Sequence, residues 1–131
     1  MKPLNAHGQW TLDFKNRILL TKVSGTTNKE ASQQWLVGTK ELVQLSENRY
    51  DIPWVVLNDA RDWEMAALDS WEATNEVIDW LSDNNCILFA IVFSKKIHKF
   101  ALEMGLKHQG IVVLFDDYDN AYQACLNSLE K

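Results

Sequence analysis

The sequence predicts an α/β fold, a mixed five-stranded sheet with four helices in the order ββαβαβαβα. Three observations predict it. Around Lys15-Asn16, a segment alternating apolar and polar residues meets a more continuous apolar one, together spanning Gln9 to Ser24. Further along, Trp54–Leu57, Cys86–Phe93 and Ile111–Phe115 are short apolar runs without alternation, as in strands covered on both faces. Between and after these runs lie segments with apolar residues at helical spacing. Strand and helix alternating through short connections imply right-handed crossovers and helices packed against a sheet.

Each element has a local reason. Trp10, Leu12 and Phe14 alternate with polar residues, and Lys15-Asn16 is expected to turn the chain into a second strand over Arg17–Val23. Asn16 tolerates the left-handed conformation that such a turn needs, and Gly25 is expected to stop the strand. Thr27-Asn-Lys-Glu30 has the spacing of a capping box, which opens a helix to about Asn48 with Ala31, Trp35, Gly38, Leu42 and Leu45 on one face. Pro53 blocks further helix before the Trp54–Leu57 strand. Asp69-Ser-Trp-Glu72 is a second capping box, and its helix turns Ala73, Val77, Ile78 and Leu81 inward before Asp83-Asn84-Asn85. After Cys86–Phe93, a shorter helix over about Lys95–Met104 stops at Gly105, with Ile97, Phe100, Ala101 and Met104 as its core-facing stripe. Asp119 is placed to cap the last helix, where Ala121, Tyr122, Cys125 and Leu129 share a face.

Composition bounds the function. The chain has 131 residues, 47% hydrophobic and 24% charged, which suits one globular domain over residues 1–131 and excludes a disordered chain. Its formal charge of −5 supplies no basic field for a phosphate backbone, so no nucleic-acid partner is expected. Met1–Gly8 lacks the apolar stretch of a signal peptide, and Cys86 and Cys125 form no C-x-x-C pair; both point to a cytoplasmic protein with reduced thiols.

Ligands of open α/β sheets meet the carboxyl ends of the strands. Three loops are expected there: Asn58–Met65, Ser94–Lys99 and Asp116–Asp119. The sharpest catalytic arrangement is a divalent-metal site of Asp59, Asp62, Asp116 and Asp117 with Lys95 as phosphate partner. Its order along the chain fails the receiver-type pattern, and Asp after a strand ordinarily caps a helix or fills a turn. No phosphate loop, nucleophile elbow or dinucleotide fingerprint is present, and the three histidines have no metal-ligand spacing. The expectation is a protein without catalytic residues, metal or cofactor. Lys95, Lys96 and Lys99 locally reverse the charge beside His98, a solvated residue on this reading, and could contact an anionic surface. Of the six tryptophans, Trp10, Trp35 and Trp54 are assigned to packing and Trp80 to a margin. Trp63, Met65, Leu68 and Trp71 are the candidate wall of an apolar cleft.

The element order, Gly8-Gln9-Trp10-Thr11-Leu12, Asn28-Lys29-Glu30-Ala31 and the segment Pro53-Trp54-Val-Val-Leu-Asn-Asp59-Ala-Arg61-Asp62-Trp63-Glu64 together resemble the SpoIIAA-like family. That family belongs with STAS domains and is similar in fold to CRAL-TRIO lipid carriers. The resemblance spans nearly the whole chain and implies a STAS-like domain that binds an apolar or lipid-like ligand, at a membrane surface, or serves as a partner-binding regulatory module. STAS anti-anti-sigma proteins carry a phosphorylatable serine shortly after an aspartate in this region. With Asp59 as that aspartate, the serine position falls on Arg61, which cannot accept a phosphoryl group by that chemistry. The leading expectation is a non-enzymatic small-ligand or lipid-sensing regulatory domain, cytoplasmic or peripheral to the membrane. The alternative is a STAS-type interaction module without the serine, using Asp59, Arg61 and Asp62. A homodimer is a candidate assembly, with no patch located for it.

Overall fold

The computed structural model describes residues 7–46, 51–67, 69–106 and 110–130. Strands β1 (Gln9–Lys15) and β2 (Ile18–Thr27) form an antiparallel hairpin. Its turn is Asn16-Arg17, one residue later than expected, with φ of 54° and 66° as a mirror-image turn requires. Arginine is an unusual occupant of that conformation, and its side chain shows what holds it. Nη1 donates to the Pro53 carbonyl and Nη2 to the Leu129 carbonyl, both at 3.1 Å. Gly25 does not end β2. At φ 75° it sits where the register against the next strand shifts, and the strand continues to Thr27.

Helix α1 (Lys29–Leu45) is capped by Asn28, whose Oδ1 accepts from Ala31 N at 3.1 Å, so the Thr27–Glu30 box is not the cap. Ala31, Trp35, Thr39 and Val43 are its buried residues, whereas Leu45 is exposed, against expectation. The expected end at Asn48 lies outside the described residues. Helix α2 (Ser70–Asp83) turns Ala73, Val77, Ile78 and Leu81 inward as expected, but Asp69 makes no side-chain cap bond. Helix α4 (Tyr118–Leu129) is capped by Asp117, whose Oδ1 accepts from Asp119 N at 3.0 Å, rather than by Asp119. In it Ala121 and Cys125 are buried, while Tyr122 is exposed.

The main departure is β3 (Trp54–Ala66), which runs for 13 residues where only Trp54–Leu57 was expected. β4 (Cys86–Val92) and β5 (Val112–Phe115) lie close to their expected bounds, with helix α3 (Lys96–Gly105) between them. The sheet order is β1-β2-β3-β4-β5, antiparallel at the hairpin and parallel thereafter.

Alternation along β3 and β4 divides the core in two. Trp54, Val56, Phe89 and Ile91 pack with Leu19 and with Trp35, Val43, Val77, Leu81 and Leu102 of α1–α3. Val55, Leu57, Leu88, Ala90 and Val92 pack with Ile18 and with Ala121 and Cys125 of α4. Three crossovers step the same way across the sheet, so one handedness sends all three helices to one face. Among the described residues no helix is long and apolar enough to cross a membrane.

Candidate functional site

Because β3, β4 and β5 are parallel, their carboxyl ends reach one edge of the sheet. Asp59 and Arg61 are two apart on β3 and so share a face of the strand. Arg61 Nε and Nη2 donate to Asp59 Oδ1 and Oδ2, each at 2.8 Å, the bidentate geometry that orients a guanidinium best. The Arg61 N–H adds a third bond to Asp59 Oδ1 at 3.2 Å. This pairing holds the Asp59 carboxyl below its ordinary range, although burial works the other way. The guanidinium carbon lies 5.1 Å from the centre of the Tyr118 ring at the start of α4, and Ser94, just after β4, donates its hydroxyl to the Arg61 carbonyl at 2.9 Å. The Tyr118 hydroxyl is raised in pKa, by burial first and then by the Asp59 carboxylate. The expected convergence of three segments is therefore real, although its first member is strand and not loop.

Asp62 leaves this group and pairs with Lys22 of β2 at 3.2 Å, in the open. Asp117 is spent on its helix cap. No cluster of acidic, histidine or cysteine side chains that could hold a metal occurs among the described residues. Cys86 and Cys125 are free and buried, and burial pushes their thiols up to about 12 and about 11.

A cavity of about 120 Å³ lies between the sheet and helices α1–α3. Trp63 and Trp71 line it, as expected, but so do Trp10 and Trp35, which the sequence reading assigned to packing. Trp63 is only 6% exposed, on a strand and not in a loop. Its Nε1 donates to Thr27 Oγ1 at 3.2 Å, the role Thr27 takes in place of capping α1. Its ring meets Trp71 edge to face at 6.4 Å and lies 5.2 Å from the His98 ring. Met65 is exposed and is not part of the wall, and Leu68 lies outside the described residues. Trp54 is fully buried packing, with Nε1 donating to the Asn84 carbonyl at 2.7 Å, and Trp80 sits half-buried beneath Lys40. Asn58, missed by the sequence reading as a cavity residue, faces inward between Val56 and Ala60, a lone polar residue in an apolar file.

Helix α3 is rolled away from its expected orientation, and of the four residues expected to face the core Ala101 alone packs against it. Ile97, Phe100 and Met104 are 61%, 64% and 73% exposed, while His98 and Leu102 are buried. Two apolar files run along this helix, and the weaker-looking one, His98, Leu102 and then Leu106, is the file that packs, with His98 against Trp63. Lys95, Lys96 and Lys99 are exposed beside the outer file and do not line the cavity, so they form no rim to it.

No family model matches the chain, and no curated protein does either. Solved structures do. An uncharacterised protein of the DUF3478 family with a SpoIIAA-like fold, from Shewanella loihica PV-4, superposes with a TM-score of 0.63 at 14% identity, covering 95% of this chain and 98% of that one. An anti-sigma factor antagonist from Mycobacterium paratuberculosis superposes with a TM-score of 0.59, also at 14% identity, covering 92% and 95%. The fold is SpoIIAA-like.

Proposed function

We propose that the chain is a non-enzymatic regulatory module that binds a protein partner through the sheet edge where Asp59, Arg61, Ser94 and Tyr118 meet. The observation that carries this reading is the Arg61 guanidinium, half exposed yet fixed by two 2.8 Å bonds to Asp59. An arginine held in one orientation loses little freedom on docking, and arginine and tyrosine are the side chains that most often dominate interfaces. The likeness in fold to an anti-sigma factor antagonist supports partner binding as the mode of action. Arginine at the position that the resemblance assigns to a phosphorylatable serine makes contact at this edge independent of phosphorylation there. Affinity capture with the full chain tests the reading. A protein retained by the native chain should fall about tenfold or more with Arg61→Glu and with Tyr118→Ala, both still folded by circular dichroism. A captured set indifferent to both substitutions would overturn it.

One observation favours a second, membrane-peripheral role. Ile97, Phe100 and Met104 form an outward apolar file next to Lys96 and Lys99, the pattern of a helix lying in an anionic lipid interface. Co-sedimentation with phosphatidylglycerol vesicles but not phosphatidylcholine vesicles, abolished by exchanging Lys95, Lys96 and Lys99 for Glu, is the expected result. Equal or absent binding to the two would sink it. A concentration-dependent dimer abolished by Phe100→Ser would assign the file to self-association instead.

A further inference from the structure

We infer that the cavity between the sheet and α1–α3 is a binding site for a small neutral molecule, one ring or a short apolar chain. Its volume, about 120 Å³, is near that of apolar cavities which admit a benzene-sized guest, of about 150 Å³. The wall is built to stay open. Trp35 donates its indole N–H to Thr21 Oγ1 at 3.0 Å and stacks on Phe89 at 6.2 Å and 8°. Trp63 is held through Thr27 and set edge to face against Trp71. With both indole donors engaged by threonine hydroxyls, these rings offer a guest carbon faces and edges, the surfaces aromatic guests prefer.

Charge is excluded by the lining. No acidic, basic or histidine side chain belongs to it, and the three lysines of α3 lie elsewhere. A carboxylate or ammonium moved into this space would lose its hydration with no counter-charge, a penalty that a guest of this size cannot offset. The anionic head of a fatty acid is therefore the wrong chemistry for the interior.

Asn58 is the one amide in the lining. Its Oδ1 is closed off from the cavity as well as from solvent and accepts no hydrogen bond among the described residues, so it sets no polar requirement on a guest. Ser32 and Thr74, joined at 3.1 Å through their hydroxyls, add a polar spot where α1 meets α2. The half-buried wall members Trp10, Ser32, Trp71 and Thr74 mark the mouth.

Benzene and indole are the neutral probes and hexanoate the charged one, each titrated into the full chain. Saturable shifts of the Trp63 and Trp71 indole N–H signals in proton–nitrogen NMR are expected with both rings and none with hexanoate. No saturable shift with either ring at millimolar concentration overturns the site. Binding of hexanoate as tight as that of benzene overturns the assigned chemistry.

Discussion

Gly105 surrenders its side-chain space to the indole of Trp71: a β-carbon there would overlap ring atoms Cε3, Cδ2 and Cζ3. The same joint is tied by Asn75, whose Nδ2 donates to the Trp71 carbonyl at 2.8 Å and the Gly105 carbonyl at 3.1 Å. The end of α3 and the start of α2 are thus tied together beside the cavity. Alanine at a helical position is ordinarily favoured over glycine by about 0.5–1 kcal/mol. Here Gly105→Ala should instead destabilise by about 1–3 kcal/mol, because Trp71 must give way. Urea unfolding measures the loss, and a shift in tryptophan emission should report the displaced ring.

The orientation of α3 makes a sharp contrast between two apolar residues two positions apart. Leu102→Ala should cost about 2–5 kcal/mol, since its side chain is buried against the cavity wall. Phe100→Ser, on the outer file, should stay within about 0.5 kcal/mol of the native stability. Reversed values in thermal or urea melts would restore the orientation that periodicity alone suggests.

Asp59 predicts the acid limb of stability. Its carboxyl is held below the ordinary value of 3.8 by Arg61, so the folded state binds this proton less readily than the unfolded chain. The contribution is fully present above about pH 4 and disappears as pH falls through the depressed folded value. The partner guanidinium is half exposed and screened, so the amount is under about 1 kcal/mol. Asp59→Asn should lower stability by that much at neutral pH, and the difference from the native chain should shrink steadily as pH falls below about 4, as read from urea midpoints across the range.

Capping of α1 separates neighbours. Asn28→Ala removes the acceptor for Ala31 N and should cost about 1 kcal/mol. Glu30→Ala should cost less than about 0.5 kcal/mol, because the reciprocal bond of a capping box is not what starts this helix. Equal losses at both positions would mean that the box forms in solution.

Strand and helix order was legible because Trp54–Leu57, Cys86–Phe93 and Ile111–Phe115 are continuous apolar runs with helical spacing between them; cover on both faces holds for Trp54–Leu57 but not throughout, since Ile87 and Val113 are exposed. The far half of β3 was not, because Asn58, Asp59, Arg61, Asp62 and Glu64 read as a polar loop. The signal present was Val56, Asn58 and Ala60 at period two, broken near Trp63 where the register against β2 shifts. Trp63 and Trp71 were legible as a cleft wall from their size and place; Met65 was not, because the side its side chain takes depends on those shifts. The rotation of α3 was hidden because Ile97, Phe100 and Met104 outweigh His98, Leu102 and Leu106 in hydropathy. Tertiary packing chooses between the two files, through His98 against Trp63 and through Leu102 and Leu106 in the core.

The spatial order of the strands is the order in which the chain is read, β1 to β5 without a skip. A growing polypeptide leaving the ribosome therefore finds, for each new strand, a neighbour already in place, and no early strand must wait for a late one. Each parallel pair still has to close the crossover before it, a slow kind of step, but none depends on a strand not yet made. The exception is the clasp from Arg17 at the first hairpin to the Leu129 carbonyl at the end of α4, which fastens only once α4 is made. Synthesis can thus build the sheet in sequence and lock it with α4.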